Sequence, residues 1–299
     1  MTLLKPSHLA ACLILLVGLT LATTGCSKSA SDKAASDNTQ HETGMQRVLR
    51  TGKIRCSYLL YSYYFQKDPN TGKLSGIFHD VMEEIGRRSD LKIDWVEEVG
   101  FQNIFPGLNA NRCDVFCGGL WPNATRAKAA LFSRPVFYSA ITTWCRTSDN
   151  RFSKDLSIIN SPSFKIATID GAMEDIIAKS DFPQAKRESL PELSPFVQNL
   201  LNVVHNKADV TFAEPMVVNE FLGQNPNTLK QIAPEKPLRI FGNSLAVKLE
   251  EQGLKEFLDV ALEEIVNDGQ LDKIIGRYKL NKGTVYPLAR PYQLPVSAN

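Results

Sequence analysis

The chain has 299 residues, with 34 Lys and Arg against 32 Asp and Glu, so its formal charge is only +2. This balance excludes the strong basic excess that a nucleic-acid partner demands. Beyond the first forty or so residues only His79 and His205 supply imidazoles, and no zinc-type ligand spacing occurs, so neither a metal nor another cofactor is expected.

Taken in order, Lys5 precedes an almost unbroken apolar run, Leu9 to Leu21, of about thirteen residues, the length of a signal-peptide core and too short to span a bilayer. The run ends in Ala22-Thr23-Thr24-Gly25 before Cys26. This resembles the bacterial lipobox, with Thr23 standing where Leu is usual, and implies cleavage after residue 25 and a lipid on Cys26. Removing residues 1–25 takes away only one charge, Lys5. Residues 26–44 are rich in Ser, Ala, Lys, Asp and Asn and read as a flexible tether. No later apolar run approaches the roughly 20 residues needed to cross a membrane, so lipid is the one anchor expected.

The body then alternates strand-like and helix-like segments. Lys53–Leu60 reads as a strand and Gly76–Arg88 as a helix, with Val81 and Ile85 four apart. Ile93–Val96 is a second strand, and Phe101, Ile104, Phe105 and Leu108 fall on one helical face. Asp114–Gly118 is a third strand. This βαβαβ rhythm predicts a parallel sheet with helices on both faces.

The rhythm restarts after residue 150: a strand at Phe164–Ile169, a short helix at Met173–Lys179, a helical stripe of Phe196, Leu200, Leu201 and Val204, and a strand at Asp209–Ala213. Leu254, Phe257, Leu258, Ala261, Leu262 and Ile265 form the cleanest helical stripe, and a further helix follows at Leu271, Ile274, Ile275 and Tyr278. These stripes are core faces. Residues 283–299, with Pro287, Pro291 and Pro295, read as an extended tail.

Cys56, Cys113, Cys117 and Cys145 lie in the body. Four residues along one strand span about 13 Å, beyond disulfide reach, so Cys113 cannot pair with Cys117 and any bridge joins different strands. The first and third strands are expected to be neighbours, which makes Cys56 with Cys117 the pairing to test.

No G-x-S-x-G elbow, H-E-x-x-H pair or phosphate-binding G-x-x-x-x-G-K-[ST] is present, and Gly118-Gly119 alone marks close backbone approach more often than phosphate binding. Function therefore points to binding. Ordered landmarks run from about Arg47 to Leu280. They are Gly72-Lys73-Leu74-Ser75-Gly76 with Asp80, Arg112-Cys113-Asp114-Val115, Thr125-Arg126 followed by Phe132-Ser133-Arg134-Pro135, Lys207-Ala208-Asp209-Val210 with Glu214, and Asn267-Asp268-Gly269-Gln270-Leu271 leading to Tyr278. In this order they resemble the bacterial extracellular solute-binding proteins that feed polar amino acids to ABC importers.

The resemblance implies an α/β fold of two lobes (type II), each a mainly parallel sheet flanked by helices, joined by a two-strand hinge. Lobe one takes residues 45–142 plus 245–282, and lobe two residues 143–244. It also implies a monomer that traps a small polar or charged solute and delivers it to a membrane permease. Arg126 falls on the position that grips a ligand carboxylate, and Glu214 on the position that grips an ammonium. Trp121, Asn123, Phe101, Tyr61, Gly119, Gly171, Ala172 and Met173 complete the expected ligand site. Several depart from the family pattern: Trp121 and Asn123 replace hydroxyls, Gly171-Ala172-Met173 replaces Gly-Thr-Thr, and Leu59 to Phe65 forms an aromatic run that can stack a flat or cationic ligand. Asp114 and Asp209 have structural roles at strand starts. Two alternatives stand beside the receptor. One is a cyclohexadienyl-dehydratase-like enzyme using Glu214, Glu174 or Asp175 as a general acid; the other is a sensor acting on a separate partner.

Overall fold

Twelve strands and eight helices form the described part of the molecule, a computed structural model that covers residues 42–152, 155–191, 194–281 and 283–289. The signal sequence, Cys26 and most of the tether lie outside the described residues. The strands are β1 Lys53–Tyr58, β2 Gln66–Lys67, β3 Leu74–Ser75, β4 Lys92–Glu98, β5 Val115–Leu120, β6 Ala130–Phe132, β7 Phe137–Arg146, β8 Lys165–Ile169, β9 Lys186–Leu190, β10 Val210–Ala213, β11 Leu229–Ile232 and β12 Arg239–Lys248. The helices are α1 Gly44–Thr51, α2 Ile77–Ser89, α3 Ile104–Asn109, α4 Met173–Asp181, α5 Phe196–Val204, α6 Pro215–Gln224, α7 Gln252–Asn267 and α8 Gln270–Gly276.

One hydrogen-bonded path runs β4-β1-β5-β12-β7-β10-β8-β9, with β6 beside β12 and β11 beside β7. β4, β1 and β5 are parallel, as are β9, β8 and β10. The joint between these two groups is made by β7 and β12, which pair with each other antiparallel from Phe137 to Ile141 against Arg239 to Asn243. Past that stretch they separate. β12 continues into the first group through Ser244 to Lys248, and β7 into the second through Thr142 to Arg146. Both meet their neighbours antiparallel, so each sheet is mixed where a mainly parallel one was expected. A strand that crosses between two sheets enters one of them against the local direction.

Helices cover both faces of each group, which is why its central strands are apolar throughout. On the first, α2, α7 and α8 bury Phe78, Val81, Ile85, Leu258, Ile265 and Ile274 on one face, and α3 packs Ile104 and Leu108 against Phe116 and Ala246 on the other. On the second, adjacent residues of β8 look opposite ways. Ile166 joins Met173 and Ile177 of α4, and Ala167 joins Leu200 and Val203 of α5. Each large apolar side chain so buried contributes about 1.5–3 kcal/mol, and the α7 stripe read from the sequence is buried at Leu254, Leu258, Ala261, Leu262 and Ile265.

Asp114 and Asp209 perform the same service in the two groups: each accepts, at 2.8 Å, a backbone N–H of the adjacent strand, from Arg55 within β1 and from Lys165 at the start of β8. Two details depart from expectation. The tether gives way one residue early to α1, because Thr43 and Gln46 form a reciprocal capping box and the Gly44 N–H donates to Glu251 Oε2 at 2.7 Å. Within the tail, Tyr286 exchanges two backbone hydrogen bonds of 2.8 Å with Tyr138. Cys56 of β1 is disulfide-bonded to Cys117 of β5, with Cα atoms 5.8 Å apart, and Cys113 and Cys145 are free and buried.

Candidate functional site

The carboxyl ends of parallel strands in an open α/β sheet leave a crevice in which ligands bind. Here the ends of β1, β4 and β5 face those of β8 and β10 across a cleft of about 320 Å³. The first group contributes Tyr61, Phe101, Gly119, Trp121 and Arg126; the second contributes Gly171, Ala172, Met173 and Glu214. Asn123, expected among them, does not line the cleft. Its Oδ1 instead accepts the Arg126 backbone N–H at 2.9 Å, so it holds the arginine from behind.

Arg126 is half-buried and its Nη1 donates to the Trp121 carbonyl at 2.9 Å. Among the described residues no carboxylate lies within 4 Å of it, and burial lowers its guanidinium from the ordinary value. A desolvated cation without a counter-charge is an anion site waiting for an anion. Trp121 stacks on Phe241 with ring centroids 4.8 Å apart and donates its indole N–H to Asn243 Oδ1 at 2.7 Å. Gly119 must be glycine: it sits at φ 75°, and a Cβ there would run into the Phe78 ring. Phe101 stands at the rim, 42% exposed.

Glu214, capping α6 just before Pro215, is 1% exposed. Its Oε1 accepts the Tyr64 hydroxyl at 2.6 Å, while Oε2 has no partner. Burial raises its pKa against the pull of the nearby Ser139, Tyr64 and Tyr61 hydroxyls. Ser139 in turn accepts from Asn243 Nδ2 at 2.9 Å. A polar chain thus runs from Trp121 through Asn243 to Ser139, crossing both shared strands and ending close to Glu214. Tyr64, Ser139 and Asn243 were not legible as site residues; the aromatic run around Tyr64 was the one local signal.

The two acids that open α4 differ sharply. Asp175 accepts the Gly171 N–H at 3.2 Å and pairs with Lys179 at 2.5 Å and Arg187 at 3.3 Å, so it fixes the turn and is no free acid. Glu174 lines the cleft, is 5% exposed, and has an unpartnered Oε1. Burial, with Asp175 adding to it, pushes its carboxyl up to about 8.

An unfolded chain titrates Glu174 near the ordinary 4.5, so between that value and about 8 the folded protein holds a proton that unfolding releases. Raising the pH through this window favours the unfolded state by up to about 1.4 kcal/mol per unit of pKa difference. The ligand-free protein is therefore expected to melt lower at each step from about pH 5.5 to about pH 8. Glu174→Gln should reduce that slope, with Glu214 supplying the remainder. A Glu174→Gln protein that loses melting temperature as steeply as wild type would show that Glu174 titrates normally.

A model described as bacterial extracellular solute-binding proteins, family 3, matches residues 55–281. The chain is 24% identical over 204 residues to a probable amino-acid ABC transporter-binding protein of Haemophilus influenzae, covering 68% of this chain and 76% of that one. It is 23% identical over 218 residues to a probable histidine-binding protein of Campylobacter jejuni, covering 73% and 80%. Among solved structures, a putative binding component of an ABC transporter from Wolinella succinogenes, complexed with lysine, matches with a TM-score of 0.68 and 19% identity, over 77% of this chain and 97% of that one. With its two mixed sheets, two shared strands and intervening cleft, the chain belongs to the bacterial extracellular solute-binding proteins, family 3.

Proposed function

We propose that this protein captures an amino-acid-like solute in the cleft and hands it to the permease of an ABC importer. The observation that carries this reading is a pair of unanswered charges on opposite walls of one cavity: Arg126 without a carboxylate, and Glu214 with a bare oxygen. A carboxylate and an ammonium on one small molecule satisfy both. In this reading residues 45–142 plus 245–282 and residues 143–244 are lobes that close on the solute by bending β7 and β12. The names of the relatives, a probable amino-acid ABC transporter-binding protein and a probable histidine-binding protein, support it.

Cys26 is taken as the lipid-bearing N-terminus that keeps a monomeric receptor at the membrane surface outside the cytoplasm. The mass of the mature N-terminal peptide from the native host tests that point, and an unmodified or differently cleaved terminus rejects it. Function is tested by a thermal-shift panel of the common amino acids on residues 27–299, followed by calorimetry. At least one amino acid should raise the melting temperature and titrate with one site per chain; no shift from any of them at millimolar concentration defeats the proposal. A second reading, a dehydratase-like enzyme, draws on the raised carboxyls of Glu174 and Glu214, since a general acid must hold its proton near neutral pH. Turnover of prephenate or arogenate decides for it.

A further inference from the structure

Arg126 and Glu214 answer the two charges that every free amino acid carries; of the other two carboxyls lining the cleft, Asp170 is exposed and accepts the Ser189 hydroxyl, whereas Glu174 is buried. Glu174 projects from the first turn of α4 into the same cavity, walled by apolar neighbours such as Ile169, Met173 and Phe212. It is 5% exposed, its Oε1 has no hydrogen-bond partner, and among the described residues no Lys, Arg or His lies within 4 Å of it. The contrast with the next residue is informative, because Asp175 is equally buried and holds two cations. An ionised carboxylate removed from water without a counter-charge is costly. On a wall that otherwise has the character of a hydrophobic pocket the ligand-free carboxyl keeps its proton, and a cation carried in by the ligand supplies the counter-charge that lets it ionise.

We propose that Glu174 is a specificity residue: its carboxylate receives a second cationic group, so the cleft selects amino acids with a basic side chain over neutral ones of the same shape. This rests on the amino-acid reading of the cleft and extends it to the side-chain end of the ligand. The apolar walls suit the methylene stem of such a side chain, and the head group would sit on the carboxylate. Asp175 beside Glu174 and the Tyr61 hydroxyl are the titratable groups that interact with it, and Asp170, Glu214 and Arg126 share the cavity. Arg126 is the one cation among the described groups lining the cleft, and in this reading the ligand carboxylate occupies it. Since burial holds the Glu174 proton near neutral pH, a cationic ligand has to displace it.

Calorimetry with matched pairs provides the test: lysine against norleucine, and arginine against citrulline, on wild type and on Glu174→Gln. In wild type the basic member of each pair should bind roughly tenfold to a hundredfold more tightly. Basic ligands should also release a proton near pH 7, read from the dependence of the heat on buffer ionisation enthalpy, and neutral ones should not. Glu174→Gln should lose most of the discrimination and the proton release while keeping its affinity for norleucine and citrulline. The wild-type ratios need no variant, so a misfolded Glu174→Gln does not shield the proposal. If wild type binds neutral amino acids as tightly as basic ones, or a folded Glu174→Gln keeps the basic preference, the specificity role falls and the amino-acid reading survives. If wild type binds no member of either pair or of the wider panel, both fall together.

Discussion

Replacing Cys56 and Cys117 together by alanine is expected to lower the melting temperature of the oxidised protein by roughly 10 °C. The bridge closes a loop with a sequence separation of 61, and cross-linking a loop of that size restricts the unfolded chain by about 4 kcal/mol. In a domain of this size each kcal/mol is worth roughly 2–4 °C. The folded state loses little in exchange, because both sulfurs lie in the core between neighbouring parallel strands and alanine leaves no polar group unsatisfied. Wild type treated with reductant should melt near the double variant. Thiol titration of denatured, unreduced protein should find two reactive groups in the body, Cys113 and Cys145. Four thiols there, or a double variant that melts with wild type, would show that the strands meet without the bridge.

What the sequence revealed depends on how local each signal is. The α7 stripe, the opening strands and the aspartates that start β5 and β10 are written in spacing and type, and they stand where they were expected. Arg126 and Glu214 were legible because landmarks in order place them at strand ends, and strand ends face the cleft in this architecture. β7 and β12 were not read as whole strands. Stretches such as Ala140 to Cys145 are buried on both faces, so they show no alternation and no helical period. The chain of Trp121, Asn243 and Ser139 joins residues 122 and 104 positions apart, and no window of sequence holds it. α1 had its signal, Thr43 three residues before Gln46, but that sign lay inside a polar stretch that read as tether. Glu174 was named only beside Asp175 as a candidate acid, because an acid in a first helical turn is ordinarily a solvated partner of the helix dipole; that both are buried and that Asp175 alone is ion-paired depends on residues distant in sequence.

Removing the arginine side chain should do the greatest damage to ligand capture. Arg126→Ala is expected to weaken binding of an amino acid by roughly ten- to a hundredfold or more, since hydrogen bonds to charged groups contribute about 1.5–3 kcal/mol each. The guanidinium is set in place before any ligand arrives, its backbone fixed by Asn123 and one nitrogen by the Trp121 carbonyl, leaving the rest of the planar fork for a carboxylate. Trp121 and Asn123 stand where the family pattern places hydroxyls that share the load. Arg126→Lys should recover only part of the loss, because an ammonium cannot make the paired contacts of the fork. Trp121→Ala is a poorer test of ligand contact: its ring is already committed to Phe241 and Asn243, and its loss leaves the Asn243 amide, which also bonds Ser139, without its donor. Calorimetry with circular dichroism as the folding control separates these effects. A folded Arg126→Ala protein that binds as tightly as wild type would mean that the carboxylate is held elsewhere in the cleft.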